Sequence, residues 1–236
     1  MSDLQTDDRG GDRIAAALIA FGALLSLVLV LHHPVLHAGH GAAPGAVAAA
    51  VGRLAAMNQA VHGLLMLVAG GQAVGYFHFA SRIGLRRPTA AAGFVFYGLS
   101  IAILVIPATL DGFVTSTLAA HCAASAGSCG TMFDSFGLVS AMIQAFTRIA
   151  FSAQAVAMLA WSAALVGSGG KARIAGLAGG ALALVPLALL FAAPGPIDPY
   201  RLAQIVLVQG LWSLGAAGLL LLGWVGRQAG EAESEG

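Results

Sequence analysis

The residues best able to do chemistry here are a few ionisable side chains inside long apolar stretches: His62, Asp111 and Arg148. Because an ionised group is costly inside a membrane, such residues face the interior of a helix bundle and are candidates for ligand, ion or proton binding. The guanidinium of Arg148 stays charged and needs an acceptor. We therefore expect an ion pair between Arg148 and Asp111, with Asp134 as the alternative acid. A purely structural pair is the alternative to a ligand site.

Two polar stripes accompany these residues. The first recurs every four residues, at Ser140, Gln144, Arg148 and Ser152. The second runs at alternating intervals of four and three residues through Asn58, His62, Leu65, Ala69, Gln72 and Tyr76. Residues three or four apart share one helix face, so each stripe faces the bundle interior. Together with Gln209 and Ser213, they predict one polar pocket, for which we name Arg148, Asp111, His62, Asn58 and Gln144 as candidate ligand or ion residues.

A run of histidines opens one loop, at His32, His33, His37 and His40. Imidazole is a common metal ligand, so a zinc or copper site using His33, His37, His40 and His62 is an alternative hypothesis. Pro34 and Gly39 disfavour one regular turn through the run, and solvated histidines are the other interpretation. Bis-histidine haem is disfavoured, because His62 and His78 lie on one helix about 160° apart at 100° per residue. We predict no cofactor beyond the zinc or copper of this alternative.

The only two cysteines, Cys122 and Cys129, lie in one loop. If that loop faces an oxidising compartment, the neighbouring pair is expected to form a disulfide. Free thiols and a metal role are the alternatives.

The composition excludes a soluble exterior. Hydrophobic residues make up 58% of the chain and charged residues 9%, against about 25% charged residues in soluble domains. The net charge of +1 gives no reason to expect nucleic acid as a partner. The lipid bilayer is the expected partner, and the sequence leaves a homo-oligomer open.

Six apolar stretches are long enough to span a bilayer as helices, which needs about 20 residues each. Their continuous apolar runs favour helices over barrel strands. The sequence thus predicts an all-α bundle of six transmembrane helices, with one membrane domain at 14–226 between disordered tails at 1–13 and 227–236. The expected spans are 14–31, 55–79, 90–109, 136–166, 174–193 and 202–225.

Basic residues predict the orientation, because loops rich in lysine and arginine stay in the cytoplasm. Eight lie on one side of the predicted bundle: Arg9, Arg13, Arg82, Arg86, Arg87, Lys171, Arg173 and Arg227. Arg53 and Arg201 lie on the other. Both termini are therefore expected in the cytoplasm.

Four short motifs carry a resemblance: His32-His33-Pro34, Val61-His62-Gly63, Arg86-Arg87-Pro88 and Asp111-Gly112-Phe113-Val114. In this region, about residues 30–115, the chain resembles a type of small multi-pass protein of bacterial inner membranes. The resemblance implies a bacterial inner-membrane location and no particular activity.

We expect an integral membrane protein with a polar pocket that opens to the outer side, for transport or sensing of a small molecule or ion, and we favour a non-enzymatic protein over an enzyme. A metal-binding membrane enzyme or metal handler that uses His62, Asp111 and the loop histidines is the first alternative. A structural or assembly subunit is the second.

Overall fold

A computed structural model describes residues 2–33, 44–124, 129–192 and 195–225. Its helices are α1 (Ser2–Leu31), α2 (Pro44–Ile83), α3 (Pro88–Thr109), α4 (Thr115–Ala124), α5 (Cys129–Val166), α6 (Gly170–Phe191) and α7 (Pro199–Leu221). A π-helical turn, Leu110–Val114, joins α3 to α4 without a break. The described residues contain no strand, so the all-α fold is confirmed.

Six helical segments are long and apolar enough to cross a membrane, with α3, the π turn and α4 counting as one. Many large apolar side chains on these helices face outwards, among them Phe21, Leu67 and Ile174. An exterior of this kind requires lipid as its solvent. The multi-pass transmembrane prediction is therefore confirmed.

The six spans form a closed ring, because each packs on the next along the chain and α1 also packs on α7. We call the end that carries the α2–α3 and α5–α6 turns the arginine end, after Arg82, Arg86 and Arg87. The opposite end, where His33 and Asp111 lie, is the histidine end. The turn after α2 needs Gly84, whose φ of 108° is a conformation that other residues rarely adopt.

Helices α2 and α5 extend well beyond the predicted spans at the histidine end. At 1.5 Å per residue, the 40 residues of α2 measure about 60 Å, twice the thickness of the hydrocarbon core. The histidine-end portions of α2 and α5 pack with α4 around a small apolar cluster that includes Ala48, Val51 and Ala119. These portions form a projection beyond the expected membrane surface.

The tails differ from the sequence prediction at one end. Helix α1 begins at Ser2, so the segment 1–13, expected to be disordered, is helical from its second residue. The second predicted tail, 227–236, lies outside the described residues.

An aromatic cluster fills the bundle in its arginine-end half. Its members, which pack as stacked, tilted and edge-on rings, are Tyr76, Phe79, Tyr97, Trp161 and Trp212. The two indoles donate hydrogen bonds, Trp161 to the Ala90 carbonyl and Trp212 to the Ser162 hydroxyl. Their polar atoms are thereby satisfied, as buried aromatic residues require. The cluster closes the interior of the bundle toward the arginine end.

Candidate metal site and cavity

Three side chains from three segments converge at the histidine end. The Nε2 atom of His33 lies 3.3 Å from Oδ2 of Asp111, and Nε2 of His62 lies 3.4 Å from the same oxygen. One ligand atom from each residue lies within 4.8 Å of the other two. The imidazole rings of His33 and His62 meet edge to face, with centroids 5.0 Å apart. We call these three residues the triad.

The local structure explains why Asp111 points inwards. It lies in the π turn, whose wider coil changes the helical register, and such turns occur often at functional sites. Pro107 lies three residues before the turn and removes one N–H from the regular helical ladder. The carbonyl of Asp111 then accepts hydrogen bonds from Nδ2 of Asn58, at 2.7 Å, and from the hydroxyl of Thr115.

A glycine lets the two helices approach at this level. A Cβ atom built on Gly112 would lie 2.7 Å from the Cβ atom of His62, closer than two carbon atoms can pack without a shift. Gly112 therefore permits the contact between α2 and the π turn that brings His62 to Asp111.

His62 is held by its other nitrogen. Nδ1 lies 2.9 Å from the backbone carbonyl oxygen of Asn58, one turn earlier on α2. A carbonyl oxygen can only accept, so Nδ1 carries the proton and donates. In neutral imidazole the remaining nitrogen is an acceptor. The lone pair of Nε2 therefore faces the carboxylate of Asp111.

His33 reaches the triad from the end of α1. Its backbone N–H donates to the carbonyl of Val30, which continues the last turn of the helix. The neighbouring His32 folds back instead, with Nδ1 2.8 Å from the carbonyl of Val28. The side chains of His33 and Asp111 are 26% and 31% exposed, against 7% for His62. The triad is thus open on one side and enclosed on the other.

The triad lies at one end of a cavity of about 280 Å³ inside the ring, close to the lower limit of about 300 Å³ for ligand pockets. Helices α1, α2, α3, α5 and α7 contribute to its wall. Its far end reaches Tyr97 and Ser213, next to the aromatic cluster. The cavity therefore runs from the triad to the middle of the bundle.

The predicted ion pair between Arg148 and Asp111 is wrong. Arg148 donates to the backbone carbonyls of Leu190, at 2.9 Å, and Gly195, while Asp111 faces the two histidines. The last carbonyls of a helix lack partners within it and attract a cation. Arg148 thus satisfies the end of α6 and the linker to α7, and it does not line the cavity.

The other predicted pocket residues have mixed positions. Gln144 lines the cavity and clamps the linker before α7, since Oε1 accepts from the Ile197 N–H at 2.7 Å and Nε2 donates to the Ile197 carbonyl at 3.3 Å. Asn58 supports Asp111 without lining the cavity. His37 and His40, named for the alternative metal site, lie outside the described residues.

The sulfur atoms of Cys122 and Cys129 are in contact, and their Cα atoms lie 5.0 Å apart, within the range for a disulfide. This contact joins the end of α4 to the start of α5. It lies in the projection, away from the triad.

A second polar cluster at the arginine end is absent from the sequence predictions. Asp12, 6% exposed, lies 2.8 Å from Nε2 of His78 and 3.1 Å from Nε of Arg82. His78 and Arg82 are four residues apart on α2 and share a face, which was a signal for an acidic partner. Asp12 was missed because it was assigned to a disordered tail. The cluster fixes α1 against α2.

No protein-family model, curated protein or solved structure matches this chain.

Proposed function

We propose that this membrane protein binds a divalent transition metal ion, zinc in the first place, through His33, His62 and Asp111. The metal lies at the mouth of the cavity and binds the polar group of a small molecule held there. This makes the metal handler, rather than a metal-free pocket, the better interpretation of the histidine end.

The observation that carries the proposal is that each ring nitrogen of His62 faces an acceptor: Nδ1 faces the Asn58 carbonyl and Nε2 faces the Asp111 carboxylate. With Nδ1 committed to the Asn58 carbonyl, a neutral ring presents a lone pair to the carboxylate of Asp111. The lone pair of Nε2 and the carboxylate of Asp111 repel each other unless a cation lies between them. That cation is either a proton or a metal ion.

The distances favour the metal ion. A charge-assisted N–H···O hydrogen bond measures about 2.7–2.9 Å, whereas the two imidazole-to-carboxylate distances are 3.3 and 3.4 Å. Zinc bonds of 2.0–2.1 Å at tetrahedral angles separate neighbouring ligand atoms by about 3.3 Å. Two of the three separations between ligand atoms in the triad thus match those of a tetrahedral metal site, and the third lies within 4.8 Å.

The surroundings have the features of a metal centre that reacts with ligands. Three protein ligands would leave one position of a tetrahedral zinc ion open, as in catalytic zinc sites, and all three residues line the cavity. The Asn58 carbonyl orients His62 as an outer-shell partner does. The Asn58 side chain also donates to the Asp111 carbonyl, so one residue supports both the imidazole and the segment that carries the carboxylate.

The test is the zinc content of purified protein after incubation with zinc and dialysis, measured by mass spectrometry. We expect one zinc ion per chain in the wild type and in His32→Ala and His78→Ala, which change histidines outside the triad. Less than about a tenth should remain in His62→Ala and in Asp111→Asn. Zinc retained by the His62→Ala protein, or no zinc in the wild type, would overturn the proposal.

A second candidate function is transport of a small molecule coupled to a proton held between His62 and Asp111. The aromatic cluster that closes the cavity toward the arginine end favours it, because a transporter open to one side has such a closure. This function needs no metal, so a wild type that binds no zinc but accumulates a solute along a proton gradient would support it.

We also propose that the arginine end faces the cytoplasm of a bacterial cell, which places both termini inside and the triad on the outer side of the inner membrane. The excess of arginine and lysine at that end supports this orientation. The resemblance of residues 30–115 to small bacterial inner-membrane proteins supports the location.

A further inference from the structure

An unpartnered amide lies at the far end of the cavity. Gln209 on α7 is 4% exposed, lines the cavity, and its Nε2 atom has no hydrogen-bond partner among the described residues. A buried donor without a partner is costly, so native structures rarely keep one without a reason. Because Gln209 lines the cavity, a group bound there within reach of this amide would accept the hydrogen bond that the protein leaves unmade.

The depth of Gln209 follows from its neighbours. The Tyr76 hydroxyl donates to the hydroxyl of Ser213 at 2.6 Å, and the rings of Tyr76 and Tyr97 lie 4.4 Å apart, so these residues share one level. One turn nearer the histidine end, the same three helices carry Gln72, Ser100 and Gln209. All three are buried and line the cavity.

These residues form a polar floor well below the triad. Gln72 follows His62 on α2 by ten residues, which is about 15 Å along the helix axis. Gln72 contacts the Ile19 carbonyl at 3.4 Å, whereas the Gln209 amide nitrogen has no such partner. Gln209 therefore offers a donor that no described residue of the protein satisfies at this level.

The wall between the triad and the floor is mostly apolar. The apolar residues of the cavity between the two levels include Leu65, Met66, Leu104, Val105, Phe151 and Val206, and the polar residues Ser26, Thr147 and Gln154 also line the cavity. Such a lining favours a hydrocarbon chain over an ion or a sugar. The cavity thus has a polar group at each end and an aliphatic segment between.

We infer that the cavity binds an elongated aliphatic molecule with a metal-binding head group at the triad and a second polar group, a hydroxyl or carbonyl about 15 Å away, at Gln209. The contact of the head group rests on the proposed metal function. The contact at Gln209 stands on the buried amide alone. A medium-chain carboxylic acid that is oxygenated at its far end has this chemistry.

The test compares two radiolabelled probes, dodecanoic acid and ω-hydroxydodecanoic acid, bound to the zinc-loaded protein in lipid nanodiscs, with empty nanodiscs as the blank. A net hydrogen bond of about 0.5–1.5 kcal/mol predicts that the ω-hydroxyl group strengthens binding by roughly two- to tenfold in the wild type. The same gain should appear in Gln204→Leu, which changes a glutamine of α7 that does not line the cavity. It should vanish in Gln209→Leu and in Gln209→Met.

The two halves of the inference fail separately. Equal binding of the two acids by the wild type, failure of both to bind, or a gain that survives in both Gln209 variants would overturn the inference. Removal of zinc by a chelator should weaken both acids alike and leave their ratio unchanged. If removal of zinc changes neither affinity, the metal function is contradicted. The ratio of the two affinities would still measure the contact at Gln209.

Discussion

At the scale of single residues, the site depends on how neighbouring hydrogen bonds orient the imidazole of His62 and the segment that carries Asp111. The backbone carbonyl of Asn58 fixes the tautomer of His62, and the Asn58 side chain holds the carbonyl of Asp111. One residue therefore orients both the imidazole and the segment that carries the carboxylate. Asn58 acts as a positioning residue for the triad.

Replacement of Asn58 by alanine should weaken zinc binding without removing a ligand. The side-chain bond to Asp111 is lost, while the backbone contact to His62 remains. Loss of an outer-shell partner typically lowers metal affinity by about 10–100-fold, which a competition titration with a chromophoric chelator measures. The exposed neighbour Gln59 supplies the control, Gln59→Ala, for which no change is expected. An unchanged affinity in Asn58→Ala would remove Asn58 from the site.

Arg148 is expected to matter for stability and not for metal binding. Hydrogen bonds to a charged group contribute about 1.5–3 kcal/mol each, and Arg148→Leu removes one bond to the end of α6 and one to the α6–α7 linker. The variant should lose roughly 3–6 kcal/mol in unfolding free energy, seen as a lower Tm in detergent, and keep its zinc. A variant with normal Tm that loses zinc would instead return Arg148 to the site.

At the scale of helices, the triad exists because α2 and the π turn approach closely. Gly112 permits that approach, and Pro107 precedes the change in register that points Asp111 inwards. The clamp between Gln144 and Ile197 holds the linker to α7 at the same end of the cavity. The site is therefore carried by contacts between helices and not by the histidine loop alone.

Gly112→Ala should push α2 and the π turn apart, because the new methyl group would lie 2.7 Å from the Cβ atom of His62. We expect zinc affinity to fall at least tenfold, as for other changes that disturb ligand orientation. Gly98→Ala is the matched control. Gly98 lies on α3, which leads into the π turn, and a Cβ atom built there meets nothing within 4 Å. Equal zinc affinity of the two variants would show that the close approach is dispensable.

Part of this picture was predictable from sequence. The spans follow from hydropathy because each apolar run needs lipid independently of the others. His62 and Asp111 stood out because ionisable groups are rare in such runs. The Arg148–Asp111 pair was predicted wrongly because the acceptors of Arg148 are backbone carbonyls, which the side-chain pattern does not show. The contact of His33 with Asp111 depends on how α1 ends against the π turn, and spacing along the chain does not contain that information.

At the scale of the whole molecule, the ring of six spans separates a cavity half from a packed half. The triad and the projection lie at one end, and the aromatic cluster and most of the basic residues lie toward the other. The proposed orientation places the former on the oxidising side of the membrane.

This orientation predicts that Cys122 and Cys129 form a disulfide in intact bacteria. Their Cα distance of 5.0 Å allows the bond, and an oxidising compartment maintains it. Cells treated with a thiol alkylating reagent before and after reduction should show label at both cysteines only after reduction, by peptide mass spectrometry. Both cysteines labelled before reduction would contradict either the bond or the orientation, and a membrane-impermeant reagent distinguishes these two.

The most direct test of the central claim is X-ray absorption spectroscopy of the zinc-loaded protein. We predict a first shell of nitrogen and oxygen at about 2.0–2.1 Å with the outer scattering of two imidazoles, and of one in His33→Ala if the metal is retained. A sulfur-containing shell, a shell without imidazole, or a spectrum unchanged in His62→Ala would contradict the assignment of the metal to His33, His62 and Asp111.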